Sequence, residues 1–186
     1  MGYTHYFYRK EKTDVKIWNA LCQDTRILLE SADIPLTYPG DEGDHKGFLI
    51  NAEEINFNGS GADAHENVYF PKDFLTGDYD STTDRHERHF SFCKTARKPY
   101  DEYVTAFLLL AKFYMKDDIR INSDGDVSDW QEGIELVNKI FEYDVSLKEH
   151  GTFEREEDPS GSDLDFAEIT FGIHEIISMD EFEKSL

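Results

Sequence analysis

Hydrophobic positions along the chain follow two periods, and the switches between them predict its elements. Residues 3–8 alternate aromatic with small or polar side chains. This predicts a strand with Tyr6 and Tyr8 on one face and His5 and Phe7 on the other. The stripe Ile17, Trp18, Leu21, Thr25 and Leu28 keeps the helical period and predicts a helix over 14–31, with Thr13 as N-cap. Pro35 and Pro39-Gly40 then punctuate the chain, and 41–47 reads as a polar loop. Three short strands are predicted at 48–50, 55–57 and 68–70, with Asn58-Gly59-Ser60-Gly61 as turn residues between the last two. After a polar loop over 71–84, Phe90 and Phe92 mark another strand.

Pro99 suits the first turn of a second helix, whose face Tyr100, Val104, Phe107, Leu108, Ala111 and Met115 is wide enough for the centre of a core. Ile119 and Ile121 predict a strand ended by Asp124-Gly125. Ser128-x-x-Gln131 reads as a capping box opening a third helix that turns Trp130, Ile134, Val137 and Phe141 inward. Beyond Asp144 the composition shifts: from Glu154 onward eleven acids face two bases, and Ile169, Phe171 and Ile173 alternate as in a strand. The expectation is an α+β fold, a mixed or antiparallel sheet packed by about three helices in a single layered domain. Its core would span 1–145, and 146–186 would be an acidic C-terminal extension.

At 186 residues the chain can bury a core without staples, and fourteen Phe and ten Tyr supply rigid pieces for it. The net charge of −21 repels nucleic-acid backbones and anionic membrane surfaces, so neither is an expected partner. Cys22 and Cys93 form no disulfide framework and no zinc pair. The longest apolar run, 106–111, is far below bilayer length, and the opening residues lack a secretory pattern, so a cytoplasmic location is expected. Lys94-Thr95 lacks the Gly-rich loop of a nucleoside-triphosphatase motif, and no cofactor fingerprint is present.

Against that acidic background one island has the opposite sign. Residues 85–98 hold Arg85, Arg88, Lys94, Arg97 and Lys98 with His86 and His89, opposed by Glu87 alone. The island leads into a predicted helix start, where cations, free amides and the helix dipole can together seat a phosphate or carboxylate. The plainer alternative is pairing with neighbouring Asp and Glu. His65-Glu66, His86 and His89 read more simply as loop residues than as metal ligands. Asn122–Asp129 imitates a calcium loop, but aligning Gly125 places Arg120 and Gln131 where carboxylates are required. No G-x-S-x-G and no cysteine nucleophile context occurs.

Met1-Gly2-Tyr3-Thr4-His5-Tyr6, Phe92-Cys93-Lys94-Thr95-Ala96-Arg97-Lys98-Pro99-Tyr100-Asp101, and Ser123-Asp124-Gly125 followed by Trp130 carry a resemblance. They resemble a family of bacterial and phage-borne proteins with a Gly-Tyr-Thr-His-Tyr opening and a Lys-Thr-Ala-x-Lys-Pro-Tyr-Asp core. Phe57-Asn58-Gly59 and His65-Glu66 look like family positions too, so the likeness covers Met1 to Tyr143 and omits the acidic tail. The resemblance names residues to suspect and no reaction. The ligand-binding set it implies is Thr4, His5, Tyr6, His65, Lys94, Thr95, Lys98, Tyr100, Asp101, Ser123 and Asp124. Polar, cationic and aromatic groups together suit a ligand with a phosphate, a ring and hydroxyls. The leading expectation is therefore binding or sequestration of a small phosphorylated molecule, a nucleotide or nucleotide-derived messenger, in a phage or bacterial defence setting. Two others stay open. One is an acidic interaction protein or DNA mimic occupying a basic protein partner. The other is a hydrolase of a phosphate ester or glycosidic bond, with His5 or His65 as acid or base and Lys94 and Lys98 stabilising charge.

Overall fold

The computed structural model describes residues 2–40, 43–74, 84, 86–148 and 168–173. Strand β1 (Thr4–Arg9) leads into helix α1 (Val15–Glu30). Asp14 caps that helix, not Thr13 as its sequence suggested. The Asp14 carboxylate accepts the N–H of Lys16 at 2.8 Å and of Ile17 at 3.4 Å, and its charge suits the positive helix end. Thr13 is buried instead beside the Arg9 guanidinium.

An antiparallel sheet follows: β2 (Leu36–Tyr38), β3 (His45–Lys46), β4 (Leu49–Ile50), β5 (Glu54–Gly59) and β6 (Val68–Pro71). Its order is β3-β2-β5-β4, with β6 also on β5. β2 lies between Pro35 and Pro39, and β3 lies in the expected polar loop. Strands of three and two residues are too short to show a period.

The chain then forms β7 (His89–Lys94), α2 (Asp101–Met115), β8 (Ile119–Ser123), a 3-10 turn at Val127–Trp130, α3 (Gln131–Phe141), β9 (Tyr143–Lys148) and β10 (Glu168–Ile173). All ladders are antiparallel, and three helices pack among them, so the α+β expectation holds. Pro99 precedes α2 rather than opening it. The capping box belongs to Asp126 and Asp129, ahead of the predicted Ser128 and Gln131. β9 runs through the expected domain edge at 145 and pairs with β10, the predicted tail strand. The acidic stretches on either side of β10 lie outside the described residues, as do Arg85 and positions 75–83.

α2 is buried continuously from Tyr103 to Ala111, so over that stretch it is buried on every side rather than along a stripe. It packs against α1, α3 and β8. Phe70 stacks on Trp18 with ring centroids 6.4 Å apart and meets Phe107 edge-on at 5.2 Å. The Arg9 guanidinium lies 4.5 Å over the same Phe70 ring and donates to the carbonyls of Pro71 and Lys72. Burial lowers the Arg9 pKa to about 10, which leaves it cationic at neutral pH. Among the described residues, no helix is long and apolar enough to cross a membrane.

Candidate functional site

In the sheet β7-β1-β8, register decides which residues meet. His5, Phe7 and Arg9 face the core together with Cys93, Ile121 and Ile119. Thr4, Tyr6 and Tyr8 face the other way, opposite Lys94, Phe92 and Phe90 on one side and beside Asn122 and Arg120 on the other. The start of β1, the end of β7, the start of α2 and the end of β8 therefore share one end of the sheet. Ten of the eleven suspected residues lie there: Thr4, His5, Tyr6, Lys94, Thr95, Lys98, Tyr100, Asp101, Ser123 and Asp124. His65 sits in the neighbouring loop, exposed, with its N–H on Asn58 Oδ1 at 3.2 Å.

The set divides by burial. His5, Thr95, Tyr100 and Ser123 are fully enclosed. His5 Nε2 lies 2.8 Å from Asp101 Oδ1 and His5 Nδ1 lies 3.1 Å from Ser123 Oγ. Gly125 N–H donates to Ser123 Oγ at 3.1 Å. One proton pattern satisfies every atom: Ser123 gives its hydroxyl hydrogen to Nδ1, and Nε2–H goes to Asp101. Tyr3 and Trp130 enclose the imidazole edge-on, with centroids at 5.0 and 5.3 Å. A Ser-His-Asp relay is thus present, which sequence spacing concealed because its members stand 96 and 118 positions from His5. Ser123 has no surface to offer a substrate, so the relay acts as a strut tying β1 to α2 and β8. A Cβ at Gly125 would fall 2.4 Å from the Tyr3 hydroxyl, which shows how tightly this corner closes. Burial pushes the Tyr3 phenol well above its usual range.

The turn from β7 to α2 is strained. Ala96 and Arg97 have φ of +53° and +56°, and Lys98 N–H closes the turn on the Thr95 carbonyl at 3.1 Å. Neither residue is Gly or Asn, the usual occupants of this region. Tyr3 holds the conformation: its carbonyl accepts both Thr95 N–H (3.0 Å) and Ala96 N–H (3.1 Å), and the Arg97 guanidinium lies 4.0 Å over its ring. Among the described residues, none gives the enclosed Thr95 Oγ1 a hydrogen bond. Such strain concentrates at functional sites.

The basic island is not a single cluster of free cations. Arg88 pairs with Asp84 at 2.6 Å. Burial raises the Asp84 carboxyl, but hydrogen bonds from Arg88 and His86 outweigh it and hold the group below its usual range. Arg97 forms a fork with Asp129. The positive end of α2 carries its own Asp101 and Glu102, and the N–H groups of Asp101 and Tyr103 go to the Lys98 and Tyr100 carbonyls at 2.8 and 3.1 Å, so the expected seat of free helix amides is partly taken by the chain itself. Lys94 and Lys98 remain. Lys98 Nζ donates to the Ala62 carbonyl at 2.7 Å, and Lys94 lays its stem along the chain start, where a Cβ on Gly2 would lie 2.5 Å from Lys94 Cε. Among the described residues neither ammonium has a carboxylate within ion-pair distance. The Glu66 carboxylate is turned to the Lys94 N–H at 2.8 Å, and the Tyr100 hydroxyl donates to the Glu66 carbonyl at 2.7 Å, which fixes the adjacent loop.

The outward face of the sheet adds residues that the sequence reading left out. Phe92 is 54 % exposed, and Phe90 stacks on it at 5.9 Å and on Tyr6 at 6.1 Å, the ring planes 30° and 20° apart. The Tyr6 hydroxyl donates to Asp124 Oδ1 at 3.0 Å. The sequence marked Phe90 and Phe92 as a strand, but their meeting with Tyr6 and Lys94 on one face had no sequence signal. Asp129, which neutralises Arg97, was hidden in the same way. Among the described residues no three His, Cys, Asp or Glu side chains converge as metal donors. Compared with known proteins, the chain matches no family model, no curated protein and no solved structure, so the site is read from its own geometry.

Proposed function

We propose that this protein binds and sequesters a small phosphorylated ligand, a nucleotide or nucleotide-derived messenger, at the end of the sheet where β1 begins and β7 ends. The observation that carries the reading is the pair Lys94 and Lys98. In a chain of net charge −21 they are two ammonium groups without a carboxylate partner among the described residues, on either side of a strained turn pinned by Tyr3. Within the basic island, Arg88 and Arg97 are neutralised by Asp84 and Asp129. Two ammonium groups beside a rigid backbone, with no carboxylate on them among the described residues, suit an anion that arrives from solution. Thr4, between Lys94 and Asp124 at the head of the sheet, is buried beneath the same rim.

Binding without turnover agrees with the enclosure of Ser123 and His5, which leaves the relay no access to a bound phosphate ester. Calorimetric titration with inorganic phosphate, ribose 5-phosphate, nucleoside mono- and diphosphates and cyclic dinucleotides tests the reading. Lys94→Ala with Lys98→Ala is expected to weaken binding by about tenfold or more, the loss of two charge-assisted contacts. Released ligand should be chemically intact. The reading fails if no member of the panel binds, or if the double variant binds as the parent does.

A further inference from the structure

The outward face of β7-β1-β8 is a grid of cross-strand rows. The end row is Lys94, Thr4 and Asp124; the next is Phe92, Tyr6 and Asn122; the third is Phe90, Tyr8 and Arg120. Tyr8 is buried and Arg120 is drawn over its ring at 5.6 Å, so the third row is occupied by its own contacts. Phe92 is different: it is a large apolar ring more than half exposed, lying near-parallel to Phe90 and next to a lysine. Successive same-face residues on a strand stand roughly 7 Å apart, so Lys94 lies about one nucleoside length from the Phe92 ring. Asp124 spends one oxygen on the Tyr6 hydroxyl and is exposed, which leaves the other for a hydroxyl or amino donor.

Resting on the phosphate reading above, we infer that the ligand is a nucleoside 5′-monophosphate or a molecule containing one, with Phe92 as the platform for its base. The base lies over Phe92, whose support by Phe90 and then Tyr6 fixes the ring plane before the ligand arrives. The phosphate reaches Lys94 in the end row, and Asp124 accepts from a sugar hydroxyl or base amine across Thr4. Every base has a π face, so stacking supplies affinity with little base selectivity. Asp124 supplies direction, because a carboxylate accepts and does not donate. The platform and the cation do separate jobs, and separate probes can therefore read them.

The experiment is a calorimetric comparison of the four ribonucleoside 5′-monophosphates, ribose 5-phosphate and the parent nucleosides on the wild-type protein and on Phe92→Ala, Phe92→Trp and Lys94→Ala. Phe92 is exposed, so Phe92→Ala should keep the parent's melting temperature, and Phe92→Trp controls for loss of an aromatic surface. Phe92→Ala is expected to weaken nucleotide and nucleoside binding by about tenfold, the range for removing one stacking ring. It should leave ribose 5-phosphate unchanged, and Phe92→Trp should retain nucleotide binding. Lys94→Ala should weaken nucleotide and ribose 5-phosphate alike and spare the nucleoside. The platform is overturned if ribose 5-phosphate binds as tightly as the nucleotides, if Phe92→Ala binds nucleotide like the parent, or if no nucleotide binds. If Phe92→Ala costs tenfold while Lys94→Ala costs nothing, the platform stands and the phosphate seat is what fails.

Discussion

His5 is held at once from α2 and β8 while sitting on β1, and its neighbours Tyr3 and Trp130 leave it no water. Replacing it by alanine strands Asp101 and Ser123 and opens a cavity between two aromatic rings. His5→Ala should cost about 3 kcal/mol, read as a lower urea midpoint at unchanged slope. Ser123→Ala removes one acceptor and one donor from the same strut and should cost about 1–2 kcal/mol without changing ligand affinity. Loss of binding in Ser123→Ala at equal stability would give the relay a chemical role. Asp24 on α1 offers a pH test. Burial raises its pKa, while hydrogen bonds from Tyr114, at 2.5 Å, and from Tyr143 pull part of the way back. A carboxyl raised in the fold adds stability below its ordinary value of 3.8, and that stability is lost as pH rises through the higher folded value. At neutral pH the charged form is therefore a burden. Asp24→Asn, which keeps the acceptor for Tyr114, should raise Tm by about 3 °C at pH 7. The advantage should vanish in scans below the ordinary value; an equal gain at every pH would count against it.

Elements in this chain announced themselves when they were long or regularly patterned. α1, α2, α3 and β1 were legible because three or more turns, or six alternating residues, state their period. β2 and β3 were not, and the N-cap of α1 was displaced by one residue because Thr13 and Asp14 both satisfy the local rule. The site was legible as a set of residue types and illegible as a geometry. Which cation meets which acid depends on partners tens of positions away, as Arg97 and Asp129 show. The strained turn between β7 and α2 could not be read at all, since Thr-Ala-Arg-Lys contains no residue that favours positive φ. That turn yields a paired prediction. Glu142 also has positive φ, at +54°, and is exposed at the opposite end of α3 from Trp130. Glu142→Gly and Ala96→Gly should each stabilise by about 0.5–1 kcal/mol, since glycine carries no penalty there. If the strain holds the rim in shape, Ala96→Gly alone lowers ligand affinity, by a few fold in the same titrations. Equal affinity in both variants would reduce the turn to a packing accident.

For the whole molecule the net charge of −21 sets a sign that separates the functional readings. An anionic ligand approaching this chain meets a repulsive field at long range and two lysines only at contact. Salt shortens the range of the field, to about 8 Å at physiological ionic strength, while direct contacts at hydrogen-bond distance are screened less. The association rate for a nucleotide should therefore rise several-fold as sodium chloride goes from about 20 to about 300 mM, the reverse of ordinary steered binding. A cationic protein partner would behave oppositely, its association being attracted by the same field and falling steeply over that range. Folding responds in the first direction: forty acidic side chains repel one another, so Tm should climb with salt in the absence of any ligand. Stopped-flow mixing across the salt series, with melting curves taken alongside, measures both. A nucleotide rate that falls with salt would mean that the local field at Lys94 and Lys98 is already positive beyond contact range, and that the ligand is guided to its seat by the protein rather than admitted against it.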